Sequence, residues 1–406
     1  MAGGSVITLV FAADSHLNKH YARMTPDQLA ARRERLRSAW KETVDFALAQ
    51  RAQVYVHGGD LFDGPNPRTA ELIWTTDQFQ RLADAGVAVL LIGGNHDIPK
   101  SRLAGATPQR LFDTARLAHV FTDPTAPTWW VRDIGGIRLA VGGLPPDPRL
   151  ARDADPLAEL AGPITPPPAD CVLLVTHYAV EGTLHPSADE PVIRKASIAA
   201  LEGVVDYLLV GHVHTARELT VGGVKVLFPG PTERLTFGEL DVRCGFAVLK
   251  IDGPRPCRIA ARHVHIDPQP MRRETVRATD IPADGPTAWL VDRVRAWSAP
   301  DQILQVRVEG PLRRDTYQAL RFLEVWQVGQ DLNFYFDLDR HLLSVEVDSP
   351  GDLGYAGGER VSPRMEIARV ADGLAAAAAT AAEVDLIVAA RDLVLDHYGA
   401  PAIEDT

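Results

Sequence analysis

The chain of 406 residues has little of several features that would assign it to particular protein classes. Its three cysteines are odd in number and lack CxxC spacing, which argues against a disulfide framework or zinc finger and fits a reducing compartment. No apolar run approaches the roughly 18 residues of a membrane-spanning helix. The first ten residues lack the basic start and long apolar stretch of a secretory signal. We therefore expect a cytoplasmic protein with no membrane partner.

The chain also lacks the excess of basic residues that is typical of nucleic-acid binders, because its formal net charge is -11. A local basic face can still attract a polyanion, since the field near a surface steers binding more than the total charge does. Each basic candidate for phosphate contact is equally well explained as a solvated surface charge. These candidates are Lys19, Arg68, Lys100, Arg102 and Arg234. The acidic total therefore does not exclude DNA.

What the chain does contain is five short polar patches, each directly after an apolar run of strand type. The patches read ADSH, GGDLFD, GGNHD, THY and GHVH. The preceding runs are rich in β-branched and aliphatic residues, as strands buried on both faces must be, and lie at 6–12, 53–58, 87–93, 171–175 and 206–210. Because side chains past the carboxyl ends of such strands gather in one crevice, we expect the patches to converge.

The converging side chains offer oxygen and nitrogen atoms without sulfur, a ligand set that suits manganese, iron or zinc. Seven such groups exceed what one tetrahedral ion takes, so we predict a two-metal site that hydrolyses phosphoesters. Asp60 is the candidate for a shared ligand, because a bridging ligand must be a carboxylate with two oxygens. Strand periodicity is expected to point Asp14 and His16 the same way. The seven predicted ligands are Asp14, His16, Asp60, Asn95, His177, His212 and His214.

His96 is the predicted catalytic residue, because it adjoins Asn95 and is placed to donate a proton or hydrogen bond to phosphate. Asp97 is expected to orient His96 from behind, and Asp63 to support a ligand or cap a turn. Each patch alone has a plain structural explanation, such as a polar turn or a histidine satisfied by backbone. Their repeated position at strand ends favours a functional site.

Alternation of strands and helices from residue 6 to about 268 predicts one layered α/β domain. Within it we predict helices at 26–50, 68–85 and 195–201 and further strands at 137–141, 224–228 and 245–251. After 268 the period changes, with helices at 286–297 and 314–325 and strands at 302–308 and 331–338. This shorter alternation indicates a small α+β unit that could cap the crevice.

The C-terminal region is predicted to be a linker followed by two helices. Residues 349–358 contain five glycines or prolines, which is typical of a linker. Residues 365–382 and 383–398 predict a helical pair that would serve as a docking element. The predicted domains are therefore 1–268, 269–345 and 346–406.

The five patches, in this order and spacing, resemble the calcineurin-like metallophosphoesterase superfamily. Within it, GGDLFD, GGNHD and the later segment FPGPTERLTFGE resemble the SbcD-type nuclease subunits of DNA double-strand-break repair. The resemblance covers essentially the whole chain. It implies an α/β fold: a layered β-sandwich flanked by helices, a small α+β capping domain that binds DNA, and a C-terminal helical tail.

The resemblance also implies an activity, namely hydrolysis of DNA phosphodiester bonds by a metal-activated water, as exonuclease and endonuclease. Two manganese ions are implied, and His96 matches the catalytic histidine. One ion would be held by Asp14, His16, Asp60 and His214, and the other by Asp60, Asn95, His177 and His212. Where some members carry a histidine after GDLF, this chain has Asp63, which leaves the balance of the two nuclease actions open.

The implied partners are DNA, a second copy of the chain and an SbcC-type coiled-coil ATPase. The homodimer would form through the helices at 26–50 and 68–85, and the C-terminal helices would grip the ATPase. Two alternatives stay open. A small-molecule phosphodiesterase or phosphatase of the same superfamily would use the same site, and a scaffold with a decayed site would not be an enzyme. The scaffold is disfavoured because every proposed ligand is present.

Overall fold

A computed structural model describes residues 6–100, 105–183, 190–253, 256–346, 363–378 and 380–399. The predicted linker at 349–358 and the candidate phosphate contact Arg102 lie outside these residues. The strands are β1 (Ile7–Ala12), β2 (Val54–His57), β3 (Ala88–Ile92), β4 (His119–Phe121), β5 (Thr128–Ile134), β6 (Ile137–Leu144), β7 (Cys171–Thr176), β8 (Ala179–Val180), β9 (Val192–Ile193), β10 (Tyr207–Val210), β11 (Arg217–Val221), β12 (Val224–Phe228), β13 (Gly245–Asp252), β14 (Arg258–His265), β15 (Met271–Arg277), β16 (Ile303–Leu312), β17 (Tyr335–Asp339) and β18 (Leu343–Val345). The helices are α1 (Pro26–Ala49), α2 (Thr69–Asp84), α3 (Arg110–Thr114), α4 (Lys195–Ala199), α5 (Pro286–Trp297), α6 (Arg314–Ala319), α7 (Phe322–Leu332), α8 (Pro363–Ala377) and α9 (Ala381–Gly399).

Two six-stranded sheets form the framework that carries the polar patches. The first has the order β14-β13-β1-β2-β3-β4 and the second the order β11-β12-β10-β7-β6-β5. In the first sheet β1, β2, β3 and β4 are parallel, and in the second β12, β10, β7 and β6 are parallel. The strands that precede the five patches are therefore interior strands that run in parallel within each sheet.

Side-chain alternation along β1 explains how the two sheets pack. Leu9 and Phe11 join a buried cluster that also contains Leu173 and Leu209 of the second sheet. The intervening Val10 faces the other way, into a cluster with residues of α1 and α2. Because successive strand side chains point to opposite faces, both faces of β1 are buried and the run is apolar throughout. The predicted α/β sandwich flanked by helices is confirmed.

The first helix shows why the sequence forms an element at this position. Thr25 caps α1 reciprocally with Gln28: the Thr25 hydroxyl accepts from the Gln28 amide at 3.3 Å, and the Gln28 side chain accepts from the Thr25 amide at 3.0 Å. Leu36, Trp40 and Val44, four residues apart, are fully buried in the cluster that also contains Val10. Replacing Trp40 with alanine would cost about 3–5 kcal/mol.

Two of the elements predicted after residue 268 are wrong in part. The strand expected at 331–338 begins only at Tyr335, because α7 extends to Leu332. The helix expected at 314–325 is interrupted, because α6 ends at Ala319 and α7 begins at Phe322. The amide of Arg321 donates to the Thr287 hydroxyl at 2.9 Å instead of continuing the helical ladder. A distant threonine thus starts a new helix where the sequence pattern runs on.

Beyond the sandwich, β15, β16 and β17 form a parallel sheet in that order. The chain separates into two compact units, one formed by Met1–Gly310 with Ala319–Leu343 and the other by Pro311–Gln318 with Ser344–Thr406. The predicted domain boundaries at 268 and 345 stay a prediction. In the part of the chain that the structure describes, no helix combines the length and apolar character needed to cross a membrane.

Candidate metal centre

All seven predicted ligands lie just beyond the carboxyl ends of strands, and the structure brings them together. Asp14 and His16 follow β1, Asp60 follows β2 and Asn95 follows β3 in the first sheet, whereas His177 follows β7 and the pair His212 and His214 follows β10 in the second. Backbone bonds join these loops: the amide of Asp14 donates to Gly59 at 3.1 Å, and that of His16 donates to Asp60 at 2.9 Å. The site therefore lies where the two sheets meet.

One group of potential ligand atoms belongs to Asp14, His16 and His214, which lie within 4.8 Å of one another. The Nε2 atom of His214 is 3.7 Å from Asp14 Oδ1. A carboxylate and two imidazoles at such separations can enclose one cation. The geometry is compatible with a metal site, and the role of each residue as ligand stays a prediction.

A second group contains Asp14, Asp60 and His177, again with potential ligand atoms within 4.8 Å. The Oδ1 atom of Asn95 extends this group, since it lies 3.1 Å from His177 Nε2 and 3.0 Å from His212 Nδ1. Asp60 Oδ2 is 3.3 Å from His177 Nε2. Two neighbouring groups of oxygen and nitrogen atoms therefore share the region around the two buried carboxylates.

His96 lies at the mouth of this site. Its main-chain amide donates to Asp60 Oδ1 at 2.9 Å, while its side chain is 44% exposed. The imidazole stands edge-on to that of His16, with ring centroids 4.8 Å apart. Burial lowers the pKa of His96, and the charge of His16 acts in the same direction. His96 can therefore reach a substrate while its backbone helps to hold Asp60.

The backbone geometry differs from the expectation for Asp14 and His16. Both lie beyond the end of β1 in the left-handed region, with φ of 54° and 44°, so strand periodicity does not aim their side chains. Asp60 and His212 share this conformation, with φ of 50° and 75°. Each non-glycine residue in this conformation costs of order 1–3 kcal/mol, and the conformation persists only where the surrounding structure enforces it. Such strain is concentrated here on four of the seven predicted ligands.

The glycine pairs that precede the ligands leave room for close packing. Gly59 has φ of 99°, and a methyl group built on it would lie 2.3 Å from Nδ1 of His177. Only glycine fits at this position, because any Cβ would displace the imidazole. The Gly-Gly sequence is therefore part of how this centre is assembled.

Asp97 does not have the position expected from the sequence. Its carboxylate is buried and accepts from the backbone amides of Gly94 at 2.6 Å and Leu61 at 2.9 Å. Burial, with help from the charge of Asp60, raises the pKa of Asp97 to about 7. Asp97 therefore links the loop after β2 to the loop after β3 by hydrogen bonds, instead of orienting the His96 ring.

The electrostatics of the site fit divalent cations. Asp14 and Asp60 are buried side by side, and neither has a lysine or arginine partner among the described residues. Burial alone would raise the pKa of Asp60, but the positive charges of His177 and His16 lower it. The Nε2 atom of His16 is buried and has no hydrogen-bond partner in the described structure. Buried acids and an inward-facing ring nitrogen are the groups that a metal ion would satisfy.

Several supporting residues carry no clear signal in the sequence. Glu190 lies 2.8 Å from Nε2 of His212, and Glu239 lies 2.7 Å from Nδ1 of His214. Glu239 belongs to the FPGPTERLTFGE segment, which could have drawn attention to it, whereas nothing marks Glu190. His57 is completely buried and contacts Ser15 at 3.0 Å, and burial lowers its pKa to about 3. It is therefore an internal residue that stays neutral.

A pocket of about 300 Å³ opens beside the second ligand group. Asn95, His177 and His212 line one wall, and Pro146 and Tyr178 contribute to another. Lys100, one of the candidate phosphate contacts, also lines it and is exposed. Substrate can therefore reach the ligand groups from this side.

Other basic candidates are engaged with protein groups. Lys19 pairs with Asp63 at 2.8 Å, and Arg68 bonds to the Asn18 side chain at 2.8 Å. The amide of Arg234 donates to the Glu233 side chain at 2.8 Å, and its guanidinium lies 3.5 Å from the Val242 carbonyl oxygen. Contact with phosphate stays a prediction for all of these residues.

Comparison with known proteins bears directly on this site. The profile of the family described as Calcineurin-like phosphoesterase matches residues 7–216, a span that contains every predicted ligand. The chain belongs to the calcineurin-like phosphoesterase family. The superfamily predicted from the five patches is therefore confirmed.

Several curated proteins that are similar to the chain are named DNA double-strand break repair protein Mre11. The protein from Haloferax volcanii is 27% identical over 303 residues, which cover 74% of this chain and 61% of the relative. The protein from Sulfurisphaera tokodaii is 24% identical, with 54% and 52% covered. The protein from Saccharolobus solfataricus is 24% identical, with 69% and 68% covered. The matches thus span about half to two thirds of these relatives.

Proposed function

We propose that the protein is a two-metal DNA nuclease that hydrolyses phosphodiester bonds. The observation that carries the proposal is the position of Asp60. Its Oδ2 atom lies 3.3 Å from Nε2 of His177 and 3.5 Å from Nε2 of His16, so one carboxylate reaches both ligand groups. A shared carboxylate is what a pair of ions about 3.5–4 Å apart requires. Manganese is the proposed metal because the resemblance to the SbcD-type nuclease subunits implies it, and the oxygen and nitrogen ligands without thiolate are compatible with it.

The proposed division of the ligands between the two ions is the one that the resemblance to the SbcD-type nuclease subunits implies. Asp14, His16, Asp60 and His214 would hold the first ion, and Asp60, Asn95, His177 and His212 the second. Such ions, when bound, lower the pKa of water and offset the charge of the phosphate. The chain's own contribution is to hold these groups in place through the strained loops and the backbone bonds between them.

His96 is the proposed catalytic residue. Its exposed imidazole stands over His16 at the mouth of the site, where it can contact a phosphodiester and pass a proton to the departing oxygen. Proton transfer by a positioned side chain contributes typically 10²–10⁴-fold to a rate, so His96→Ala is expected to lose about this factor in kcat. Metal binding should be retained, because the His96 group that bonds to Asp60 is the main-chain amide.

DNA is the proposed substrate on the strength of the relatives, which are named for double-strand break repair. The test is an assay of the purified protein with Mn²⁺ on linear duplex, hairpin and single-stranded DNA. A chromogenic phosphodiester serves as a small substrate in parallel. Cleavage of DNA that is lost in His96→Ala supports the proposal. Hydrolysis of the small ester alone would support the small-molecule phosphodiesterase in its place.

We further propose that α8 and α9 bind a coiled-coil ATPase of SbcC type. These helices pack together and leave an apolar groove lined by Val370, Leu374, Ile387 and Val394. Large apolar side chains on helices that stay exposed are typical of protein interfaces. A partner that offers an amphipathic helical stripe would cover them.

A homodimer through α1 and α2 is proposed as well. Ile73 on α2 is 59% exposed, and a second copy of the chain packed against this helix would cover it. Sedimentation analysis tests this proposal: the wild-type chain should sediment as a dimer and Ile73→Glu as a monomer. A wild-type monomer at micromolar concentration would contradict it.

A further inference from the structure

The four histidines among the predicted ligands share an arrangement of their ring nitrogens. One nitrogen of each faces the ligand groups, and the other contacts an oxygen outside them. For three of them the outer atom is Nδ1. The Nδ1 atom of His16 lies 3.1 Å from the Asp63 carboxylate, and that of His177 lies 2.7 Å from the Gly58 carbonyl oxygen. The Nδ1 atom of His214 lies 2.7 Å from the Glu239 carboxylate. Each contact would hold the ring so that Nε2 points inward.

His212 has the opposite orientation. Its Nδ1 atom faces inward, 3.0 Å from Asn95 Oδ1, and its Nε2 atom lies 2.8 Å from Oε2 of Glu190. A neutral imidazole has one donor and one acceptor nitrogen. A carboxylate at Nε2 therefore keeps the proton on that atom and leaves Nδ1 as the atom that can bind a metal.

The ligand histidines nearest the solvent depend most on such outer support. Asp14, His16 and His177 are almost completely buried, so packing helps to restrain them, whereas the side chains of His212 and His214 are 15% and 24% exposed. Asn95 is exposed, and both Asn95 and His212 line the 300 Å³ pocket. The contact with Glu190 therefore restrains rotation of a ring that is partly exposed at the pocket.

We infer that Glu190 is a positioning residue for the second ion: it fixes the tautomer and orientation of His212, and through His212 sets the affinity of that ion. The inference rests on the proposed function, because it requires the two-metal site. Glu190 lies just before β9 and belongs to none of the five patches. Glu239 has the corresponding relation to His214 and the first ion, so the two glutamates should affect different ions.

The test is Mn²⁺ titration of the full chain by calorimetry, combined with electron paramagnetic resonance of the bound manganese. The variants are Glu190→Gln, which keeps an oxygen acceptor without charge, and Glu190→Ala, which removes the acceptor. Glu239→Gln is the comparison at the other group. Glu202→Gln, at an exposed glutamate away from both groups, is the matched control.

Wild type should bind two ions and give the signal of a spin-coupled manganese pair. Loss of a residue that supports a metal ligand typically costs 10–100-fold in affinity. Glu190→Ala should therefore weaken one of the two ions by this factor and leave the other unchanged, so that the coupled signal is lost at low manganese concentration. Glu190→Gln should lose less, and Glu202→Gln should match wild type. Glu239→Gln should weaken the ion that Glu190→Ala spares.

Two ions bound by Glu190→Ala with wild-type affinities would overturn the inference. An equal loss of affinity at both ions in Glu190→Ala would overturn it too, since it indicates general damage to the site. The same holds if Glu190→Ala has a lowered melting temperature while Glu190→Gln binds both ions with unchanged affinity. Failure of wild type to bind two ions would instead overturn the proposed function. The two failures are therefore distinguishable in one set of measurements.

Discussion

Gly94 lies directly against the carboxylate of Asp60: a methyl group built on Gly94 would be 2.1 Å from Oδ1 of Asp60 and 2.4 Å from its amide nitrogen. A carbon and an oxygen cannot approach this closely, so a side chain at position 94 must displace the residue that reaches both ligand groups. The requirement for glycine here is a requirement of the metal site and not of the turn alone.

Gly94→Ala should therefore reduce DNA cleavage by about 100-fold or more, because a misplacement of about 1 Å in an active site can cost this much. The measurement is kcat with saturating Mn²⁺, together with the number of ions bound. Gly64→Ala is the matched control, since nothing lies within 4 Å of a methyl group at that position. Equal activity of the two variants would contradict the role of the Gly94 contact.

Metal binding is expected to release a proton from His177. Burial alone would lower the pKa of His177, but Asp60 and Asp14 outweigh it and raise the pKa to about 9. At neutral pH the ring is therefore protonated, and an ion must displace that proton. Loss of this one proton should raise the apparent affinity for Mn²⁺ by about tenfold per pH unit between pH 7 and pH 9, and the affinity should level off above pH 9.

Calorimetry in two buffers that differ in ionisation enthalpy measures the released protons directly. His265→Ala, at an exposed histidine of β14, should release as many protons as wild type. An affinity that does not change between pH 7 and 9 would show that His177 is already neutral before the metal binds.

Asp97→Asn should destabilise the fold by about 1–3 kcal/mol. The Asp97 carboxyl accepts from the backbone amides of Gly94, Leu61 and Phe62 and from the Gln109 side chain, whereas an asparagine side chain has only one acceptor oxygen for these donors. The raised pKa adds a pH dependence. Because the pKa of Asp97 is higher in the folded protein than in the unfolded chain, its protonated carboxyl stabilises the fold fully below about pH 4. This contribution to the free energy of unfolding is lost as the pH rises through about 7.

The measurement is urea unfolding with EDTA at pH 5 and pH 8, with Asp77→Asn at an exposed position as control. The deficit of Asp97→Asn relative to wild type should be larger at pH 5, because asparagine does not ionise. A deficit that grows with pH would mean that Asp97 is ionised in the folded protein across this range.

Val370→Glu with Val394→Glu should abolish copurification with the coiled-coil ATPase while sparing cleavage of DNA by the nuclease alone. Both side chains line the groove between α8 and α9 and are 50% and 44% exposed, so a charge at either position would be buried on binding without a partner. Leu386→Glu is the control, since Leu386 is 71% exposed and does not line the groove. Retained copurification of the double variant would place the ATPase elsewhere.

Much of the fold can be predicted from sequence because the informative strands are buried on both faces. The strand expected at 224–228 and the helix at 286–297 have the predicted bounds, and α1 differs from its prediction by one residue. The strand before each polar patch is present, so convergence of the patches follows from sheet topology. The spacing of apolar residues is enough to predict a strand or helix wherever the burial of that element decides its structure.

The parts that could not be predicted depend on contacts between residues far apart in sequence. The break between α6 and α7 depends on Thr287, and the contact of Glu190 with His212 joins segments that no motif links. The positive φ of Asp14 and His16 arises because their amides bond to the loop after β2. Such tertiary constraints override local preference, which is why the position of these residues after β1 could be predicted while their backbone conformation could not.

The division of ligands between the two sheets has a consequence for synthesis of the protein. The first sheet supplies Asp14, His16, Asp60 and Asn95, and the second sheet supplies His177, His212 and His214. A nascent chain that has emerged only through β4 therefore has three of the four proposed ligands of the first ion and two of the four of the second. Both proposed ions have their full sets of ligands only after residue 214 has left the ribosome, so a translation product truncated before β10 would lack both complete metal sites.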